Sequence, residues 1–471
     1  MVGAERNPDM SESVSDLYQR AHKAFKTIEF WPQDKVDEMA AAVAWEWQKE
    51  ETARAAVAVA MEEADMGIFE HKIAKQRNKV RGTMRDIRGV KTCGVIREIP
   101  EKGLKILAKP MGVVANVVPS TNPTCTPAII GINLLKTRNA MIVSPHPRTK
   151  RSTNMTIESG RKALRKIGAP EDLLLCVKDP SHENTVELMS VCDFAVATGG
   201  AGLRKVVYGA GTPAQTTGAG NVVSIVDETA DPKTVAEIIS LVKPFDNGSG
   251  CSIENAIAIH DSIYEATMKA LAACGGYLCS TPEREKLRAI VWPDGKTLNR
   301  DIVARSVQHI AGLASLTVPA ATKFLMVVGE EIGPEDRFSG EKVSPILTVW
   351  RWSDFNEMLD RLDRILEFSG KGHSASIHSK NQARIMQLAE RAHVGRISCN
   401  LPHGFANAGS WTSGQPFTAS LGGGTWAGNM TSDNINWRHF LNYTWVASVI
   451  PEHVPTDEEL FGDYFAKWGR D

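Results

Sequence analysis

A chain of 471 residues is too long for one ordinary domain, and 42% hydrophobic with 23% charged content is the composition of a soluble globular protein of two or three units. A formal net charge of −1 gives no electrostatic reason to expect nucleic acid or an anionic membrane as partner, and no apolar run approaches the roughly 20 residues that span a bilayer. The polar start "MVGAERNPDMSESVSDLYQR" lacks the basic and apolar regions of a signal peptide, and eight scattered cysteines with no CxxC pair or metal-ligand spacing predict reduced cytoplasmic thiols and no metal site.

The first eighty residues predict helices. "SVSDLYQRAHKAFKTI" and "DKVDEMAAAVAWEWQKEETARAAVAVAMEEADMG" carry apolar residues at mixed three and four spacing, the second reading as one helix that ends on Gly67. Two extended runs, "KTCGVIREIP" and "LKILAKP", joined by Glu101-Lys102-Gly103, predict a hairpin at about 91–107. From Met111 apolar strands alternate with helices through "GVVANVVP", "AMIVSPH", "LLLCVK" and "FAVATGG". Such alternation predicts βαβ units around a buried parallel sheet, with ligand-binding loops at the strand C-termini.

After Pro244 a second alternation begins: "SIENAIAIH", "KFLMVV", "SPILTVW", "SASIHS" and "GRISCN" as strands, with Ser262 and Glu265 spaced as a capping box on the first intervening helix. The last forty residues, with two tryptophans in "NINWRHFLNYTWVA", read as an extended tail packed on a neighbour. The division is therefore 1–243, 244–430 and 431–471: helices, hairpin and cofactor-binding unit; catalytic unit; tail.

Three stretches and one cysteine carry chemical promise. Cys251, in "PFDNGSGCSIEN", sits among residues of little bulk and is either a nucleophile in an open pocket or a minor core thiol. Asn122, in "PSTNPTCTP", lies where a strand gives way to a helix, as a cap or as an amide donor to a developing oxyanion. "ATGGAGLRKVVYGAG" and "TTGAGNVVSIV" are glycine-rich turns that either admit a phosphorylated ligand or simply connect strand to helix.

Taken with "PMGVVANVVPSTNPT", "RNAMIVSPHPRTKRST", "EKVSPIL", "GKGHSASIHS" and "LGGGTWAGN", these strings resemble the aldehyde dehydrogenase superfamily over essentially the whole chain. Their order resembles its CoA-acylating branch most. The resemblance implies an α/β, two-domain fold: a Rossmann-like cofactor domain, an α/β catalytic domain, and a hairpin and tail that make a homodimer or homotetramer. It assigns Cys251 as the nucleophile, and Asn122 with the Cys251 N–H as the oxyanion hole. Glu341 falls where the nicotinamide ribose is held, and Pro119, Ser144, His146 and Gly199 line up with the cofactor cleft. Arg148, with Lys150 and Arg151, is placed to accept a 2′-phosphate, so NAD and NADP both stay open.

Hydrolytic members carry a glutamate in an "ELGGKN"-like turn that activates water. Here the turn reads Thr216-Thr217-Gly218-Ala219-Gly220-Asn221, with no general base and Gly220 in place of the lysine. The resemblance then makes coenzyme A the acceptor of the acyl group, with His373 in "GKGHSAS" deprotonating or positioning it. The C-terminal string is similar to branch members that convert sulfoacetaldehyde to sulfoacetyl-CoA, for which Arg438 or Arg204 would supply a cation. Acetaldehyde, propionaldehyde and succinate semialdehyde are the other aldehydes of the branch. An acyl-phosphate reductase and a non-catalytic scaffold are the rivals of another class; the first would need basic residues that "DNGSG" lacks.

Overall fold

A computed structural model describes residues 12–470 of the chain. The first eleven residues, on which part of the signal-peptide reading rests, lie outside the described residues. Four helices open the fold, Val14–Ile28, Gln33–Gln48, Glu50–Ala64 and Phe69–Ile87. In the first, Ser13 Oγ accepts the Asp16 N–H at 3.1 Å, and Val14, Leu17, Ala21, Phe25 and Ile28 form its buried stripe.

The long run expected as one helix is two. Lys49 turns to extended angles (φ −58°, ψ 135°), ending one helix with its N–H on Trp45 and Glu46 carbonyls and starting the next by accepting from Ala53 N–H. The break lets Trp47 bury completely, its indole N–H donating to the Thr156 carbonyl at 2.7 Å. Removing such a side chain costs about 3–5 kcal/mol.

Two parallel sheets follow. The five-stranded sheet runs Leu174–Cys176, Ala140–Ser144, Val113–Val117, Phe194–Ala197, Ala214–Thr216, and every residue in it is buried, as apolar runs covered on both faces require. Its strand order reverses at Val113–Val117, the switch point where such sheets bind ligands. The seven-stranded parallel sheet runs Gly276–Leu278, Phe324–Val328, Ile346–Trp352, Glu254–His260, Val222–Val226, Ala375–His378, Ile397–Cys399. Val222–Val226 therefore belongs to the sheet that carries Glu254–His260, and helix Pro232–Val242 packs into the same core. The chain crosses between sheets soon after Thr216, whereas the sequence reading kept everything to 243 in the first unit. A fully buried strand has no polar side to say which sheet it joins.

The hairpin Gly94–Ile99 and Leu104–Pro110 forms, and the C-terminal strand Leu441–Ala447 pairs antiparallel with Leu104–Pro110 as its third strand. Beyond it, Asp457–Trp468 is a helix where an extended tail was expected, opened by a Thr456–Glu459 capping box and with no buried residue. The capping box expected at Ser262 and Glu265 does not form. Ser262 Oγ and N–H turn back to His260 Nδ1 at 2.8 and 3.2 Å, and the helix starts at Tyr264.

Candidate active site

Cys251 follows the turn Phe245–Gly248, in which Asp246 and Asn247 both take left-handed backbone angles (φ 51° and 53°). Such angles cost on the order of 1–3 kcal/mol per residue and persist only where the surroundings hold them. The fully buried Asp246 carboxylate accepts from Lys75 Nζ at 2.6 Å, Ser249 Oγ at 2.7 Å, Ile68 N–H at 2.8 Å and Lys72 Nζ at 3.1 Å. Asn247 Nδ2 donates to the Gly67 and Ala304 carbonyls at 3.1 and 3.2 Å. Burial by itself would raise the pKa of Asp246, but Lys75 and Lys72 outweigh it and hold the carboxyl at about 2. The turn is thus pinned to helix Phe69–Ile87 as a fixed platform for the cysteine.

Lys75 also reaches Asn122, donating to its Oδ1 at 2.7 Å. With that oxygen occupied, the amide presents its N–H groups, one of them 3.4 Å from Thr121 Oγ1. Asn122 stands on the loop between Val113–Val117 and helix Cys125–Lys136, at the switch point of the five-stranded sheet.

His373 meets the cysteine directly, its Nε2 3.3 Å from Cys251 Sγ. Behind it runs a buried chain: His373 Nδ1 to Ser374 Oγ at 2.7 Å, Ser374 Oγ to His403 Nε2 at 2.9 Å, His403 Nδ1 to Ser398 Oγ at 2.8 Å. One arrangement of protons satisfies all three contacts with Nε2 of His373 left as an acceptor for the thiol. Asn407 Nδ2 braces the chain, donating to Ser374 Oγ at 3.1 Å and to Ser252 Oγ at 2.8 Å. Burial, with the charge of Arg396 and then His403, drives His373 well below its ordinary value. Burial, reinforced by Glu341, pushes the Cys251 thiol up to about 11. The resting pair is a neutral thiol against a neutral imidazole, so the proton leaves sulfur as the sulfur attacks.

Glu341 approaches from the other side. Its Oε1 accepts the Gly220 N–H at 3.2 Å, and burial raises it to about 8. Gly220 is where the turn touches the nucleophile: a Cβ there would collide with the Cys251 carbonyl and stand 2.9 Å from Cys251 Cβ. A lysine has no room. Thr216 is equally committed, its Oγ1 donating to Tyr208 Oη at 3.0 Å and accepting from Asn429 Nδ2 at 2.6 Å.

Pro119, Ser144 and Gly199 sit at the C-terminal ends of three adjacent strands, Val113–Val117, Ala140–Ser144 and Phe194–Ala197. His146 caps the next turn, its Nδ1 accepting the Arg148 N–H at 3.2 Å. Arg148 is exposed and lines a cavity of ≈ 230 Å³ with Arg300, Arg305 and His309. These positions suit an extended dinucleotide: carbonyl and N–H groups at strand ends, a carboxyl with one hydrogen bond, and cations beyond. Arg204 donates to the Ala427 carbonyl. Arg438 is exposed, stacked over Trp437 at 5.3 Å, and lines a surface cleft of ≈ 180 Å³ with Thr83, Asp86 and Phe417; it makes no contact with Cys251, Asn122 or His373. Among the described residues no group of three or more His, Cys, Asp or Glu is placed to hold a metal, and no helix is long and apolar enough to cross a membrane.

Sequence reasoning passed over Lys75, Asp246, Ser374 and His403. Lys72, Lys75 and Lys79 at three and four spacing were the available signal for the first. Asp246 is joined to Lys75 and Ile68 across 171 and 178 residues and His403 to Ser374 across 29, pairings that leave no local pattern, whereas Ser374 stands directly beside His373 in "GKGHSAS".

Residues 6–275 match the aldehyde dehydrogenase family. The chain is 39% identical to a sulfoacetaldehyde dehydrogenase of Acholeplasma sp, over 96% of this chain and 94% of that one. It is 39% identical to a sulfoacetaldehyde dehydrogenase (acylating) of Bilophila wadsworthia, over 98% and 100%. A crystal structure of an acetylating aldehyde dehydrogenase from Geobacillus thermoglucosidasius superposes with a TM-score of 0.91 at 33% identity, covering 94% of this chain and 98% of the other.

Proposed function

Because the chain belongs to the aldehyde dehydrogenase family, we propose that Cys251 is its nucleophile and sulfoacetaldehyde its substrate. The enzyme is a CoA-acylating aldehyde dehydrogenase using NAD or NADP. Cys251 Sγ attacks the aldehyde carbon as His373 Nε2, 3.3 Å away, accepts the thiol proton. The developing oxyanion is met by Asn122, whose amide Lys75 holds through Oδ1 so that Nδ2 is left as the donor, and by the Cys251 N–H. A bound nicotinamide would supply the hydride acceptor that lets the thiohemiacetal on Cys251 become a thioester. Glu341, Pro119, Ser144, His146, Arg148 and Gly199 would hold the dinucleotide.

The observation that carries the acylating reading is the engaged hydroxyl of Thr216 where hydrolytic members keep a base. Water stays unassisted, and once His373 has lost its first proton to solvent it accepts that of the CoA thiol, whose sulfur takes the acyl group while the proton passes to the departing Cys251 thiolate. The exposed apolar side chains of the C-terminal strand and helix, Trp445, Leu460, Phe461 and Trp468 among them, support a homo-oligomer, and eight unpaired cysteines support a cytoplasmic setting.

The test is formation of reduced nicotinamide from sulfoacetaldehyde with NAD and with NADP, with and without CoA. Turnover that requires CoA and favours sulfoacetaldehyde over acetaldehyde is expected. Steady turnover to a free acid without CoA would overturn the reading.

A further inference from the structure

Helix Phe69–Ile87 presents Lys72, Lys75 and Lys79 along one side, toward Cys125 at the start of the next helix, and the charges of all three act on that thiol. Two of them are answered by Asp246. Lys79 is not. Its Nζ donates to the Ala408 carbonyl, lies 3.5 Å from that of Gly409, and sits over the Phe417 ring at 5.5 Å. Asp86, whose charge reaches it, is occupied by Arg85 and by the Phe417 N–H at 2.6 Å. Among the described residues no carboxylate stands within ion-pair distance of Lys79.

Its position ties it to the nucleophile from two sides. One helical turn back, Lys75 touches Asn122. On the other side, Ala408 adjoins Asn407, which bonds Ser252 Oγ beside Cys251. The two carbonyls satisfy the donors of this half-buried ammonium without neutralising its charge, so an anion beside it is favoured. Two further cations lie near the same ring: Arg85, over Phe417 at 4.7 Å, and Arg438, which lines a cleft with Asp86 and Phe417.

We propose that Lys79 anchors the acidic end of the substrate, so that the enzyme selects small aldehydes bearing a sulfonate or carboxylate a carbon or two from the carbonyl. The inference rests on the reading of Cys251 as an aldehyde-attacking nucleophile. Arg85 and Arg438 draw the anion toward the site, and Lys79 Nζ fixes it with the aldehyde carbon against Cys251 Sγ. A point charge with a rotatable donor fork accommodates a tetrahedral sulfonate and a planar carboxylate alike.

The experiment is alkylation of Cys251 in the full-length protein by 2-bromoethanesulfonate, which spaces sulfonate and electrophilic carbon as sulfoacetaldehyde does, and by neutral iodoacetamide. Each rate is divided by the reagent's rate with free cysteine. The wild type is expected to favour the sulfonate, Lys79→Met to lose ten- to a hundredfold of that preference with the iodoacetamide rate unchanged, and Lys79→Arg to keep most of it. A preference unaltered in Lys79→Met, or a parallel fall with both reagents, overturns the proposal. Failure of sulfoacetaldehyde to turn over while the preference depends on Lys79 would instead remove the substrate named above and leave the anchor standing. Sulfoacetaldehyde turnover unaffected by Lys79→Met would do the reverse.

Discussion

The two flanks of Cys251 treat charge in opposite ways. On the Asp246 flank a fully buried carboxylate meets two lysines, a serine and a backbone N–H, and its proton is held off down to about pH 2. On the Glu341 flank a carboxyl has one N–H for company and keeps its proton up to about pH 8, the imidazole of His373 is driven neutral, and the thiol rises to about 11. One flank spends its charges on holding a strained turn. The other withholds charge until ligands arrive. A site built this way separates rigidity from reactivity, with Lys75 as the link, since it bonds both Asp246 and the oxyanion donor Asn122.

The contrast breaks most completely at Asp246. Asp246→Asn would leave two lysines without their shared carboxylate, and a loss of about 3–5 kcal/mol is expected in urea unfolding at pH 7. The sign of its pH dependence follows from the lowered value. The carboxyl lies at about 2 folded against an ordinary 3.8, so its contribution is complete above pH 3.8 and is lost as the pH falls through 2. The wild type should weaken across that window, and the variant should not show this component.

Next is Lys75→Met, which frees Asn122 Oδ1 while leaving Lys72 on Asp246. A fall in kcat of about tenfold to a thousandfold with little change in KM is expected, in the range for losing one oxyanion donor. A change confined to KM would show that Lys75 acts on binding. The smallest effect belongs to Glu341→Gln. Glu341 is raised from 4.5 to about 8, so its contribution to stability is complete below pH 4.5 and is lost as the pH rises through 8. The variant's melting temperature should therefore decline less than the wild type's between those values.

The parallel sheets were legible because buried strands such as Val113–Val117 and Glu254–His260 are unbroken apolar runs between turn signals. Sheet membership was not, since Val222–Val226 fits either core. The break at Lys49 hides inside a good helical pattern, and the helix after Thr456 was passed over although Thr456 and Glu459 have capping-box spacing. In the site, motif strings pointed to Cys251, Asn122, Glu341 and His373 singly. What they could not carry was how these side chains are held: Lys75 lies 171 residues from Asp246, and His373 lies 122 from Cys251. Such pairings are made by the fold and leave no spacing to read.

The three-stranded ribbon has a consequence in time. Its middle strand is synthesised early, yet Asn442, which bonds Pro110, comes 332 residues later. At 5–20 residues per second the ribosome needs on the order of 20–60 s to cover that distance. Throughout that interval the open edge of Leu104–Pro110 is a template for any other strand that passes, so the nascent chain is most exposed to mispairing at a place the finished protein conceals.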